Sequence, residues 1–415
     1  MLNERERELD LVLGQMAESL DISPSKYKQA VERYQAVGKW LEGGDYNGCP
    51  GLPEVSPQGS FRLGTVTRPL RNGKEANYDI DLVCRLPMAI TVTTPEALKA
   101  GVGNRLKEHA QYRRMLDTEG RRCWTLEYAE QDDIGFHMDV LPAVPDDNSA
   151  KVDLILQGIP WQYAQQAVAI TEKQQYTATY SWKSGGSNPA GYAAWFDDIN
   201  RPMFTKVVAG QKRLLVENQR LIYASVDDVP DALVRTPLQR AIQILKRHRD
   251  GRFLKHRWEE DKPISIIITT LAAQAYQAEG DVYSALRGIV DRLAGYRLLL
   301  EMNRRNEGSP TGLIQRRDGG WYIPNPVNHG ENFADRWNDK GSHRAEAFFQ
   351  WLSWVQEDLS TGTSLRNRTA MRSFLEPVFR YGGSNPARPA PQHTMVYPAV
   401  AITSPTKPWG DNGIR

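Results

Sequence analysis

The sequence predicts an α+β protein of two lobes, a sheet lobe followed by a mostly helical one. Three observations point there. Its 415 residues amount to two or three domains at roughly 150 residues each. Between Gly51 and Leu141 the apolar residues recur with a period near two, the strand signal, and beyond residue 205 they recur at helical intervals. Between these stretches, Tyr176 to Phe204 is rich in Ser, Gly, Asn, Pro and aromatics (Trp182, Tyr192, Trp195, Phe196), which reads as an ordered connecting loop at a lobe boundary. The expected division is 1–205 for the sheet lobe with its N-terminal helices, 206–380 for the helical lobe and 381–415 for a Pro-rich tail.

Each element has a local reason. Leu9, Val12, Leu13, Met16 and Leu20 form a helical stripe over residues 4–20. Ser23 before Pro24 is an N-cap with proline at the first helical position, and Tyr27, Val31, Tyr34, Val37 and Leu41 carry that helix to Gly43-Gly44. The runs Thr125–Tyr128 and Gly135–Val140, separated by the polar turn Glu130-Gln131-Asp132-Asp133, read as two strands. Thr236-Pro237 opens a helix through Arg249, Pro263 another through Gln277, and His343–Leu359 a third with Phe348, Trp351, Leu352 and Val355 on one face. Beyond Tyr381 six prolines crowd a segment poor in apolar stretches.

Composition excludes several classes. Hydrophobic residues at 40% and charged residues at 25% lie within the ordinary globular range and rule out disorder of the whole chain. No run approaches the ~18 apolar residues needed to cross a bilayer, and Met1 to Glu6 lacks a signal-peptide core, so a cytoplasmic protein without membrane attachment is expected. A net charge of +2 is too weak to argue for long nucleic acid, so phosphate binding must come from local clusters. Cys49, Cys84 and Cys123 fit neither a disulfide framework nor a zinc site, and the seven His do not pair with them at zinc spacing; reduced thiols and no zinc are expected.

The chemistry concentrates in one region. In Tyr78-Asp79-Ile80-Asp81-Leu82, strand alternation puts Asp79 and Asp81 on one face and Tyr78, Ile80 and Leu82 on the other. Two carboxylates so close repel, and a divalent cation is the natural partner. Asp139, inside the apolar strand Phe136–Leu141, completes a metal site if its strand lies beside the first. Three carboxylates suit Mg²⁺, which favours a few carboxylates together with phosphate oxygens and water, and they suit two-metal phosphoryl or nucleotidyl transfer. Gly59-Ser60 lets backbone amides and a hydroxyl approach a triphosphate, with Arg62 and Arg68 to offset its charge. A lone Gly-Ser or Asp-x-Asp is usually structural; the ordered combination is what carries the reading.

The run Gln58-Gly59-Ser60-Phe61-Arg62-Leu63-Gly64-Thr65, the strand Tyr78–Leu82 and His137-Met138-Asp139-Val140-Leu141-Pro142 resemble the bacterial nucleotidyltransferases related to cyclic GMP-AMP synthase and DncV, called CD-NTases. Ser187–Tyr192 and Leu238–His248 are similar to further segments of that family, and the resemblance spans roughly residues 1–375. It implies a polymerase-β-type nucleotidyltransferase lobe packed on a helical lobe of the oligoadenylate-synthetase kind, with the active site between them. The implied activity is template-independent synthesis of a cyclic di- or trinucleotide second messenger from nucleoside triphosphates, ATP and optionally a second one, with release of pyrophosphate. In anti-phage defence the product activates a downstream effector.

By the two-metal argument, Asp79 and Asp81 hold the Mg²⁺ on the triphosphate, and Asp79, Asp81 and Asp139 together hold the one that acidifies the attacking ribose hydroxyl. Two ions are expected with substrate, and Mn²⁺ is able to substitute. By resemblance, Gln58, Gly59 and Ser60 cradle the nucleotide, and Lys246 and Ser265 are the family's phosphate-binding lysine and serine; a helix start favours anions independently. The plain alternatives are that Lys246 is a solvated base and that Ser265 caps its helix. Asn325-Pro326-Val327-Asn328 and Glu331–Asp335 read as structural. The zinc element of the animal synthase has no counterpart, so DNA-triggered activation is not expected. Some relatives are conjugated to a partner through the C-terminus, and the tail through Lys407–Gly410 is compatible with that. Two other readings share the carboxylates: a nucleotidyltransferase that modifies RNA or a small molecule, and an inactive nucleotide-binding scaffold, which would be expected to lack one of them.

Overall fold

The computed structural model describes residues 2–22, 24–71, 74–131, 134–174, 179–218, 234–301 and 312–379. Helix α1 (Glu4–Ser19) opens with a capping box, in which the Asn3 side chain accepts from the Glu6 amide and the Glu6 carboxylate from the Asn3 amide. Helix α2 (Pro24–Glu42) follows; Ser23, its expected cap, lies outside the described residues. Next come strand β1 (Glu54–Gln58), the single turn α3 (Gly59–Arg62), a small hairpin of β2 (Leu70–Arg71) and β3 (Lys74–Glu75), and strand β4 (Tyr78–Arg85). Helices α4 (Pro95–Glu108) and α5 (Ala110–Met115) lead to the hairpin of β5 (Trp124–Gln131) and β6 (Ile134–Pro145). Short helices α6 (Asn148–Leu156) and α7 (Trp161–Ala164) precede β7 (Val168–Lys173) and β8 (Tyr180–Trp182).

These strands make one six-stranded sheet in the order β1-β4-β6-β7-β8, with β5 also on β6. The pairing of β4 with β6 is parallel and the others are antiparallel. Tyr78, Ile80, Leu82 and Cys84 of β4 and Phe136, Met138 and Val140 of β6 point to one face, where they bury against Val37 and Leu41 of α2 and Leu98, Val102 and Leu106 of α4. That alternation leaves the acids of both strands on the opposite face.

The second half is helical: α8 (Pro189–Asn218), α9 (Pro237–Phe253), α10 (Ser265–Ala275), α11 (Val282–Ala294), α12 (Arg344–Ser364) and α13 (Arg368–Phe379). Two hairpins interrupt it, β9 (Gln315–Arg317) with β10 (Gly320–Tyr322) and β11 (Pro324–Asn325) with β12 (Asn328–Asn332). Its core holds Leu238, Ile242 and Leu245 of α9 with Leu286 and Ile289 of α11 and Phe348, Trp351 and Leu352 of α12. Helix α1 belongs to this core although it begins the chain, packing on α9, α11, α12 and α13. None of the described helices is long and apolar enough to cross a membrane.

The segment expected to be a loop is largely helix, and position 205 falls inside α8. Its composition hides a helix start. The Asn188 side chain accepts from the Gly191 amide, and Pro189 occupies the first helical position, where it loses no hydrogen bond. Asn188 also donates to the Tyr163 carbonyl. The Asn-rich stretch at 325–332 spends its side chains on backbone groups: Asn325 accepts from the Val327 amide, Asn328 donates to the Gly185 carbonyl, and Asn332 accepts from the Ile323 and Ala334 amides. The tail from 381 lies outside the described residues.

Candidate active site

The register of the sheet aligns polar residues across four strands. Gln58 of β1 lies opposite Asp81 of β4, Asp81 opposite Asp139 of β6, and Asp139 opposite Thr125 of β5. Paired residues project to the same face, so these four side chains form one row. Two residues along, Asp79 lies opposite His137, which lies opposite Glu127. The three predicted acids therefore share one face of the sheet, brought together by the parallel pairing of β4 with β6.

Electrostatics there suit a cation. Burial pushes the Asp81 carboxyl up to about 6, with Asp139 and then Asp79 adding to the effect. Burial likewise raises Asp79, where Asp139 adds and His137 opposes. A group of carboxylates that raise one another's affinity for protons has the same appetite for a divalent ion. Among the described residues no three His, Cys, Asp or Glu side chains close into a ready ligand cage. One Asp139 oxygen is instead turned to Thr125, whose hydroxyl donates to it at 2.6 Å. The donor set, three carboxylates and no thiol or imidazole cage, fits Mg²⁺ or Mn²⁺.

The Gly59-Ser60 turn stands directly at this row. Gly59 has φ +63°, and a Cβ on it would sit 2.4 Å from Asp81 Oδ2, so both its conformation and its contact require glycine. Gly59 is exposed and Ser60 half-buried. The chain then folds back, and the Thr65 amide donates to the Ser60 carbonyl at 3.0 Å. Arg62, expected to offset phosphate charge, forms an ion pair with Asp197 of α8 at 2.7 Å, and Arg68 donates to the Asp21 carbonyl.

Helix α9 grips the segment after the turn. Gln239 donates to the Leu63 carbonyl at 3.0 Å, Gln243 to the Val66 carbonyl at 2.8 Å, and Arg247 to the Arg68 carbonyl. Lys246 differs from the expectation of an open phosphate ligand: its buried ammonium donates to both the carbonyl and the hydroxyl of Thr65, each at 3.2 Å. Burial lowers its pKa to about 7, with Arg249 acting in the same direction and Asp250 against it. Through Thr65, Lys246 is nonetheless one residue contact from Ser60. Ser265 is exposed at the first position of α10 and does not cap it, since Ile264 holds that place; its Oγ accepts from Arg249 at 3.2 Å.

Sequence reasoning missed Thr125 and the pair Asn77 and His137. The Asn77 side chain accepts from the Gly135 amide and meets His137 Nε2 at 2.8 Å, tying the start of β4 to the start of β6. Polar residues on the acid-bearing parity of each strand were the available signal.

Comparison with known proteins bears on the family and the fold. The profile of the nucleotidyltransferase domain of cyclic GMP-AMP synthase DncV-like proteins matches residues 53–142, which hold the turn and all three acids. A c-di-GMP synthase of Roseivirga ehrenbergii is 30% identical over 350 residues, covering 84% of this chain and 77% of that protein. The cyclic dinucleotide synthase CdnG of Bradyrhizobium diazoefficiens is 24% identical over 346 residues, 79% of this chain and 70% of that one. In fold, the chain resembles the CD-NTase CdnG of Bradyrhizobium diazoefficiens, solved in complex with GTP, at TM-score 0.62 and 20% identity over 90% of this chain and 95% of the other. It also resembles CdnC of E. coli MS115-1, solved with ATP, at TM-score 0.53 and 14% identity over 89% and 96%.

Proposed function

The chain belongs to the CD-NTase family of nucleotidyltransferases, and from that premise we propose that it joins two nucleoside triphosphates, at least one of them GTP, into a cyclic dinucleotide in the cytoplasm. A ribose hydroxyl of one nucleotide attacks the α-phosphorus of the other, pyrophosphate leaves, and a second such transfer closes the ring. The observation that carries the reading is the row of acids with the Gly59-Ser60 turn pressed against it. The guanine assignment is supported by the relative named a c-di-GMP synthase and by the structure of CdnG in complex with GTP. In this reading the transfers use no template, and the product speaks to a separate effector in anti-phage defence.

Each residue has a part. Asp79 and Asp81 would hold the ion associated with the triphosphate, and Asp139 joins them for the ion beside the attacking hydroxyl. Mg²⁺, or Mn²⁺ in its place, supplies charge neutralisation and lowers the pKa of the attacking hydroxyl when bound. Gln58, Gly59 and Ser60 bind the triphosphate through backbone amides and the serine hydroxyl. Lys246 fixes the segment behind Ser60 through its hydrogen bonds to the Thr65 carbonyl and hydroxyl. Ser265 has its oxygen occupied by Arg249 as acceptor, which leaves its proton for a phosphate oxygen of a nucleotide held between the halves. Clamping the triphosphate from both sides gives the in-line geometry that the transfer needs.

Incubation of the protein with all four nucleoside triphosphates and Mg²⁺, followed by phosphatase and mass spectrometry, tests this directly. The expected result is a phosphatase-resistant cyclic dinucleotide containing guanine, absent with the Asp79→Asn, Asp81→Asn double variant. Linear products alone would point to a polymer-modifying enzyme, and no product at any metal or pH would overturn the catalytic reading.

A further inference from the structure

We propose that Thr125 is the positioning residue of the third carboxylate, holding Asp139 turned so that one oxygen stays free for metal. The proposal rests on reading the three acids as a metal site. Thr125 lies directly opposite Asp139 in the β5–β6 register, and its Oγ1 donates to Asp139 Oδ1 at 2.6 Å. Asp139 has Asp81 on its other side in the same row. Its two oxygens thus have different surroundings: Oδ1 is occupied by the hydroxyl, and Oδ2 is left for a cation shared with Asp81.

The choice of residue matters. A hydroxyl satisfies one carboxylate oxygen without bringing a positive charge, whereas a lysine or arginine there would compete with a divalent ion for the carboxylate. Threonine is also stiff about χ1, which fixes the hydroxyl better than serine does. Its backbone is anchored from the far side. The Asp117 amide donates to the Thr125 carbonyl at 2.9 Å, Leu116 bridges Leu126, and the buried indole of Trp124 donates to the Lys99 carbonyl at 2.9 Å. Groups that orient metal ligands in this way are worth roughly 10–100-fold in metal affinity or activity.

The test uses the full chain, Mn²⁺ and a non-hydrolysable GTP analogue, with binding read by electron paramagnetic resonance in the absence of turnover. Thr125→Val keeps the shape and removes the donor; Thr125→Ser keeps the donor. Thr125→Val is expected to weaken the ion that depends on Asp139 by about tenfold or more while the ion held with the triphosphate is retained. Its kcat falls with KM for nucleotide unchanged, and Thr125→Ser recovers most of both losses. In an Asp139→Asn background, Thr125→Val should add nothing, which separates action through Asp139 from a general packing defect. Mn²⁺ binding and kcat equal to the unaltered protein in Thr125→Val would overturn the proposal. If the unaltered protein binds no Mn²⁺ with the analogue, the metal reading beneath it fails, and the proposal fails with it.

Discussion

The acid face of the sheet and the seam between α9 and residues 63–68 are both built from polar side chains, but they use their polarity in opposite ways. On the acid face like charges crowd together, and burial with two neighbouring carboxylates pushes Asp81 up to about 6. In the seam, donors of α9 meet the backbone carbonyls of Leu63, Thr65, Val66 and Arg68. The first is destabilising by itself and stores affinity for a cation; the second is satisfied and holds a shape. The turn at Gly59-Ser60 joins them, leaning on Asp81 at one end and on Thr65 at the other. Substitutions should therefore separate them: changes on the face should remove activity and spare stability, and changes in the seam should do the reverse.

The largest effect is expected from Asp81→Asn. Product formation should fall by about 10³-fold or more, since a metal contributes several kcal/mol to the transition state. The metal-free protein should keep its thermal midpoint or gain, because one of three mutually repelling charges is gone. A fall in midpoint by calorimetry, with activity retained, would erase the contrast between the two regions.

Next is Gly59→Ala, at the junction. A left-handed backbone costs a non-glycine residue about 1–2 kcal/mol, and the new Cβ lands on Asp81 Oδ2. Activity should drop by roughly 10²-fold through misplacement of the turn, and denaturant titration should show a loss of about 1–2 kcal/mol.

Within the seam, Gln243→Leu strips a donor from the Val66 carbonyl and from Asp21. Stability should fall by about 1–3 kcal/mol, the cost of leaving buried groups unpaired, while activity changes by less than tenfold. Gln239→Leu should cost at least as much, since Gln239 also closes the capping box of α9 with Thr236.

The most specific effect concerns pH. Lys246 titrates near 7 in the folded protein against 10.5 for an ordinary lysine. Between those values the unfolded chain binds the proton and the folded one does not, so this residue adds stability as pH rises from 7 towards 10.5. The midpoint of the unaltered protein relative to Lys246→Met should accordingly climb across that window. A flat difference would show that Lys246 is not buried against Thr65 as described.

Much of the acid face was legible in the sequence because a strand's period of two is a local rule. Tyr78-Asp79-Ile80-Asp81-Leu82 announces which side chains share a face, and Phe136–Leu141 does the same. What the sequence did not contain was the parallel pairing that sets Asp81 opposite Asp139; it could be stated only as a condition. The seam was not legible because its contacts join residues about 180 positions apart, as Lys246 to Thr65 and Gln239 to Leu63 do. A lysine among Arg247 and Arg249 looks like a solvated base until the loop that covers it is known. The helix from Pro189 reads as a loop in the sequence because Ser, Gly, Asn and Pro dominate its approach, although Asn188-Pro189 is itself a capping signal. Thr125 was passed over because a threonine in a strand is ordinary; only its partner makes it notable.

The most direct test of the acid row as the metal site is a crystal structure with Mn²⁺ and a non-hydrolysable GTP analogue, with the ions located by anomalous scattering. The expected result is Mn²⁺ bound by Asp79 and Asp81, with Asp139 joining a second ion and the triphosphate on the Gly59-Ser60 turn. Mn²⁺ bound away from this face, or a triphosphate seated without touching the turn, would contradict it.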